Sequence, residues 1–447
     1  MLHQTSFAGG CAPPAPLRAR SRGPRRSPLG ARGLGTIDVV SFPLAPLLIA
    51  IATLSGQSSD LVDLERAAAA SPSDVQAQRK LAVAYEAAGR RPDAVTAWTR
   101  VTRLAPQAPG GWYALGLAYG AVAQQATRSF EDRAEEATWR QLLTADSLLA
   151  TGHLTDAFAL YRSVEAQLPS MVTIHDSIGQ IYERSGHAAW AALERERVVL
   201  PADACAKRKP LCEFRAGRYR SALDAALDGS EAESRYWQAR AARELARAAY
   251  THLDALPDSP ERRASRAAIA RAEDRHQDAV TELTAALKLA PGNPTLTFEL
   301  ATACYAARNY EQALATITPG LRARPDDPRL VKLAGYSLLQ LRRPGEALLL
   351  LQRAATLDPS DPGPQLALGR AHLQRGDYAA AIPLIEPHLG TDSDGSLHVQ
   401  LARAYMGIGQ QEKAAALLEK SEELHRAAEE RSAAVARRRI EAPLTKR

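Results

Sequence analysis

Residues 294–325 read PTLTFELATACYAARNYEQALATITPGLRARP, and this stretch decides the architecture. Leu300, Ala301 and Cys304 fall at helical spacing on one face of a first helix. Ala307-Arg308-Asn309-Tyr310 supplies a turn, after which Ala313, Ile317 and Leu321 face inward from a second helix. Arg324-Pro325-Asp326-Asp327-Pro328 stops that helix, because proline lacks an amide donor and clashes with the preceding turn. The same stop returns as Ala290-Pro291-Gly292-Asn293-Pro294 and as Asp358-Pro359-Ser360-Asp361-Pro362, with Asp or Asn placed to cap the next helix. Working outward, alanine recurs every 34 residues at Ala279, Ala313, Ala347 and Ala381, then at Ala414 after 33. Ala267, Ala301, Gly335, Gly369 and Ala402 keep the same step. One supersecondary unit reused at this length stacks into a solenoid, in which each copy touches only its neighbours. That resolves how 447 residues can fold without one oversized core. With 46% apolar but only 5% aromatic residues, Ala and Leu carry the packing, which suits closely approaching helices.

These units resemble the tetratricopeptide repeat, whose period is 34 and whose signature opens Trp, two residues, Leu-Gly, two residues, Tyr. Trp112-Tyr113-Ala114-Leu115-Gly116-Leu117-Ala118-Tyr119 has that form at every fixed place. Leu81, Tyr85, Gly89, Ala94, Trp98 and Pro106 reproduce the pattern one unit earlier. The resemblance covers about 76–200 and 259–424, and it implies an all-α, right-handed superhelical solenoid of antiparallel helix hairpins. Two arrays are expected, 60–200 and 259–424, joined by an irregular helical connector over 201–258. In the first array the helix after Tyr119 meets no Gly or Pro stop and is expected to run on to Ala137. The pattern resumes at Gly152, Ala157 and Tyr161, and again at Gly179, Tyr182 and Gly186. In the connector the phase is lost; Tyr236-Trp237 begins a helix reaching towards Leu256. The segment from 425 to 447 reads as a charged capping helix, continuing to Ile440, and a tail after Ala442-Pro443.

The net charge of +6 is misleading until it is located. Arg18, Arg20, Arg22, Arg25, Arg26 and Arg32 against Asp38 place +5 of it in residues 1–56. The remainder is near neutral and lacks a basic stripe with interleaved aromatics, so nucleic-acid binding is disfavoured. The basic leader, the uncharged run Val39 to Leu54 and the exit Ser55-Gly56-Gln57 read as a secretory signal cut near Ser55 or Gly56. An uncleaved membrane anchor over 39–54 and an organelle transit peptide remain open. The expected location is exported, periplasmic or within a bacterial envelope.

Chemistry-bearing motifs are sparse. Cys205 and Cys212 form the one close cysteine pair, which an oxidising compartment would bridge; two ordinary thiols are the alternative. No His or further Cys lies nearby to complete a metal site. The sequence has no His-Glu-x-x-His pair, no phosphate-cradling glycine loop and no Gly-x-Ser-x-Gly turn. The chain is therefore expected to be non-catalytic, with no cofactor and no small-molecule substrate. In proteins resembling this family, first-helix residues between the packing positions line the concave surface. Here these are Phe298, Tyr305, Lys332, Tyr336, Arg370, Arg403 and Met406. Aromatic faces with fixed cations suit an extended peptide or protein carrying acidic groups. The asparagines by which chaperone-binding relatives grip a terminal carboxylate are missing at these places. The resulting expectation is a protein-interaction scaffold. A non-catalytic subunit of an envelope enzyme or assembly complex, and a membrane-anchored structural protein, are the alternatives.

Overall fold

The computed structural model describes residues 57–130, 134–169, 171–198, 200, 204–436 and 438–443. The leader and the apolar 39–54 segment lie outside the described residues, so the signal or anchor reading is not addressed by the fold. Among the described residues there are 22 α-helices and no strand. The chain opens with α1 (Gln57–Ala70), α2 (Val75–Ala87), α3 (Arg91–Leu104) and α4 (Pro109–Arg128). Two hairpins follow, α5 (Ala134–Ala150) with α6 (Leu154–Glu165) and α7 (Thr173–Arg184) with α8 (Ala188–Glu196). The short α9 (Ala204–Lys207) and α10 (Lys209–Arg215) lead into α11 (Tyr219–Leu227) and the long α12 (Ala232–Ala255). The regular block pairs α13 (Pro260–Ala272) with α14 (His276–Leu289), α15 (Pro294–Ala306) with α16 (Tyr310–Ala323), and α17 (Pro328–Gln340) with α18 (Pro344–Leu357). It ends with α19 (Pro362–Arg375), α20 (Tyr378–Ile385), α21 (Ser396–Gly407) and α22 (Gln411–Ala436).

Local chemistry sets these boundaries. The Asn293 side chain accepts from the amides of Thr295 and Leu296 at 3.0 and 3.1 Å. Asp327 and Asp361 do the same for α17 and α19, at 3.1 and 2.9 Å, each followed by proline in the first helical turn. The turn inside each hairpin of the regular block needs one left-handed residue, and that position also keeps the 34-residue step, with the last interval again 33. It is occupied by Asp274, Arg308, Arg342, Gly376 and Gly409, with φ between 56° and 84°.

In two of the regular hairpins a glycine of the first helix seats a side chain from the second. A Cβ on Gly335 would lie 2.7 Å from Leu351 of α18, and one on Gly369 would lie 2.7 Å from Ile385 of α20. Gly116 of α4 follows the same rule, but the side chain against it is Tyr250 of α12, 2.5 Å from where a Cβ would stand. α4 packs along α12, not against α5, which follows it in sequence. The segment expected as an irregular connector thus contains the second helix of the hairpin that α4 begins. Residues 129–231, with α5 to α11, are inserted between the two.

α12 belongs to two apolar cores. Tyr236, Trp237 and Ala239 join Leu142, Tyr161, Ile178 and Tyr182. Ala241, Ala242, Ala246 and Ala249 join Val95, Trp98, Leu115 and Tyr119. Two helix ends differ from expectation. α4 stops at Arg128, not Ala137, and Phe130 turns into the first of these cores, where it is buried. α22 ends at Ala436 instead of Ile440; residues 438–443 leave it without helical structure, and Ile440 packs on the core of α5 to α8.

Candidate functional site

The first helices of neighbouring hairpins touch, α15 on α17, α17 on α19 and α19 on α21, while second helices of neighbouring hairpins stand farther apart. The stack therefore curves with its first helices inside. Every groove residue expected from sequence sits on one of those helices: Phe298 and Tyr305 on α15, Lys332 and Tyr336 on α17, Arg370 on α19, Arg403 and Met406 on α21.

The fold brings three of them together. The Tyr305 and Tyr336 rings lie 6.4 Å apart, and the Arg370 charge acts on both hydroxyls. Burial, aided by the Asp361 carboxylate, pushes the Tyr336 hydroxyl up to about 12, so it stays a donor at neutral pH. Arg370 is exposed and donates to Gln400 at 3.0 Å. Arg403 and Met406 are exposed one hairpin further on. Two others are engaged within the protein. Lys332 Nζ pairs with Asp361 at 2.8 Å, and the Arg329 guanidinium covers the Phe298 ring at 5.0 Å. Burial alone would raise the Asp361 carboxyl, but Lys332 and the Gly363 amide hold it below the usual range. Lys332 thus serves the helix cap, and the cations this face offers to a partner are Arg370 and Arg403.

A second concavity was not foreseen. Where α4, α5, α7, α12 and α13 meet there is a cavity of about 1150 Å³. Six arginines, Arg128, Arg184, Arg240, Arg243, Arg247 and Arg266, line it against the four carboxylates of Asp146, Glu244, Asp254 and Glu273. Deepest are Arg240, Arg243 and Asp146. Tyr161 donates to Asp146 Oδ1 at 2.6 Å, and Arg240 stands 3.7 Å from the same oxygen and donates to Tyr236. Arg243 Nη1 donates to Ser147 Oγ at 3.1 Å. Arg243 Nη2 and Asp146 Oδ2 are buried without a hydrogen-bond partner. Burial disfavours the Arg243 charge, an effect that Asp146 only partly offsets. The one trace of this cavity in the sequence is Arg240, Arg243 and Arg247 at helical spacing on α12.

Cys205 and Cys212 are joined by a disulfide with Cα atoms 5.5 Å apart, tying α9 to α10. Cys304 is buried in the α13–α16 core, and burial pushes its thiol up. Among the described residues no group of three His, Cys, Asp or Glu side chains is arranged to hold a metal ion. No helix among them is long and apolar enough to cross a membrane.

Models of the tetratricopeptide repeat family match residues 270–335 and 338–396, and in the first block 63–109 and 80–121. No curated protein matches the sequence. Among solved structures the chain is similar to MamA of strain MSR-1, with 21% identity over 39% of this chain and 98% of that one, at a TM-score of 0.34. MamA from Desulfovibrio magneticus RS-1 matches with 18% identity over 39% and 98%, at 0.35. TTC0263, a thermophilic repeat protein of Thermus thermophilus, matches with 19% identity over 40% and 99%, at 0.32.

Proposed function

Because the chain is a tetratricopeptide-repeat protein and hence a protein-interaction scaffold, we propose that it holds an extended segment of a partner protein along the inner face of α15, α17, α19 and α21. The observation that carries this is the Tyr305–Tyr336–Arg370 group, with Arg403 one hairpin beyond. Two half-buried rings offer area at little entropic cost, and two exposed guanidiniums can grip carboxylates in two-pronged hydrogen bonds. The partner segment is acidic, and the role is binding without catalysis. A second reading rests on the buried, unpartnered Arg243 Nη2: an acidic side chain of the partner enters the α4–α12 cavity.

Photo-crosslinking from position 305 in cells is the direct test. We expect a discrete protein adduct that Arg370→Glu with Arg403→Glu abolishes while circular dichroism stays unchanged. Undiminished adduct in the double variant removes the inner-face reading.

The proposed location is outside the cytoplasm, supported by the basic-then-apolar leader and by the Cys205–Cys212 bond. The mature protein should begin near Gln57, and both cysteines should resist alkylation until a reductant is added. An intact leader with immediate labelling of both would contradict it.

A further inference from the structure

The segment 438–443, Arg-Arg-Ile-Glu-Ala-Pro, lies without helix or turn on the inserted hairpins, more than 250 residues away in sequence. Four contacts hold it. Arg438 Nη1 pairs with Asp156 Oδ1 of α6 at 3.2 Å. Ile440 packs against the core that includes Phe158, Tyr161 and Tyr182. Tyr182 Oη of α7 donates to the Glu441 carbonyl at 2.6 Å, and Pro443 is buried. The receiving surface is built in advance. Tyr182 Oη accepts from Arg162 Nη2 at 3.1 Å, and Arg162 is fixed by the fully buried Glu194 at 2.8 Å. Phe158 and Trp190 pack on the Tyr182 ring at 5.7 and 5.5 Å.

The segment is gripped as a bound peptide would be. Positions 438 and 440, two apart, both meet this surface, one at the Asp156 carboxylate and one among apolar side chains. The carbonyl between Glu441 and Ala442 is read by a hydroxyl, whatever the side chain. No helix among the described residues covers this patch in place of the segment; α22 ends at Ala436 and hands the surface over to it.

We propose that the α6–α7 surface is a second peptide-binding site, for an extended segment of the form basic, any, aliphatic, two of any kind, proline, and that the chain's own carboxyl end occupies it as a strap. A partner bearing such a segment must displace the strap, so its apparent affinity is the intrinsic one multiplied by the fraction of molecules in which the site is open. This site uses no residue of the α15–α21 face, and its ligand is basic where the other's is acidic.

The probe is a fluorescent synthetic peptide of residues 437–443, titrated into purified chain by anisotropy. A chain ending at Ala436 should bind it at least tenfold more tightly than the full chain. Ile440→Asp in the peptide should abolish binding, and Tyr182→Phe in the truncated chain should weaken it several-fold. Should truncation unfold the protein, the full chain carrying Ile440→Asp, checked for unchanged helix content, takes its place and should bind equally well. No binding by either opened form, or equal binding by the full chain, overturns the proposal. A full chain that is dimeric and becomes monomeric on truncation would also overturn it, because the strap would then come from a second copy. Arg370→Glu with Arg403→Glu should leave probe binding unchanged, so failure of one site is separable from failure of the other.

Discussion

At the scale of single residues, the left-handed turn position shows how strictly the period is kept. Gly376 and Gly409 adopt it freely, whereas Asp274, Arg308 and Arg342 are held there by the helices on either side. For an L-residue that conformation costs about 1–2 kcal/mol, of which glycine returns part to the unfolded chain. Arg308→Gly and Arg342→Gly should therefore each stabilise the protein by about 0.5–1 kcal/mol, read as a raised urea midpoint at constant slope. A lowered midpoint would show that the arginine side chains contribute more than the backbone loses. The turns could be located in the sequence because the alanine step fixes the register on both sides. That Arg308 and Arg342 would carry positive φ could be seen only through that register, since their residue type signals nothing of it. The same limit applied to Lys332. Its residue type suggested a free cation, but Asp361, 29 positions later and in the next turn, claims it.

At the scale of helices, the α6–α8 hairpins are held by a buried carboxylate. Glu194 has no exposed side-chain surface and accepts from Arg162 and His175, each at 2.8 Å. Burial alone would raise its pKa, but the His175 and Arg162 contacts reverse this and hold it below the ordinary value of 4.5. A carboxyl depressed in the folded state adds stability above the unfolded value and loses it as pH falls through the folded one. The hairpins should thus weaken progressively below about pH 4.5. Glu86 and Glu299, both raised by burial, act with the opposite sign. The comparison must then be with Glu194→Gln, whose unfolding free energy should be lower near neutrality and flatter with pH across the acid range. Parallel profiles for the two chains would show that this carboxylate does not govern the effect. The paired helices themselves were legible, because Gly152, Gly186 and the small residues between them keep their spacing. The early end of α4 and the straightened end of α22 were not. Each depends on an apolar residue, Phe130 or Ile440, finding a core formed by distant sequence.

At the scale of the molecule, the decisive contact is Tyr250 on Gly116. Nothing local in the sequence pairs α4 with a helix that begins 104 positions after it ends. The Leu-Gly of the signature declared that some side chain would seat there, but not which one. Because α12 contributes to both apolar cores, loosening it from α4 should weaken the first repeats and the inserted hairpins together. Gly116→Leu should cost about 1–3 kcal/mol and broaden or split the unfolding transition followed by tryptophan fluorescence. Gly120→Leu on the same helix, where a Cβ meets nothing within 4 Å, should leave the transition sharp. Equal losses in both variants would mean that helix α4 simply resists bulk and that the Tyr250 seat has no special part.

The order in which this pairing becomes available has a cost of its own. A chain emerging amino terminus first exposes the α4 face long before residue 250 exists to cover it. At synthesis rates of about 5–20 residues per second the wait is roughly 7–27 s, far longer than a hairpin needs to close. During that interval a greasy, unfinished strip is open to neighbouring nascent chains. Cells making this protein must shield the strip, slow its collapse or tolerate its clumping until translation reaches the missing half.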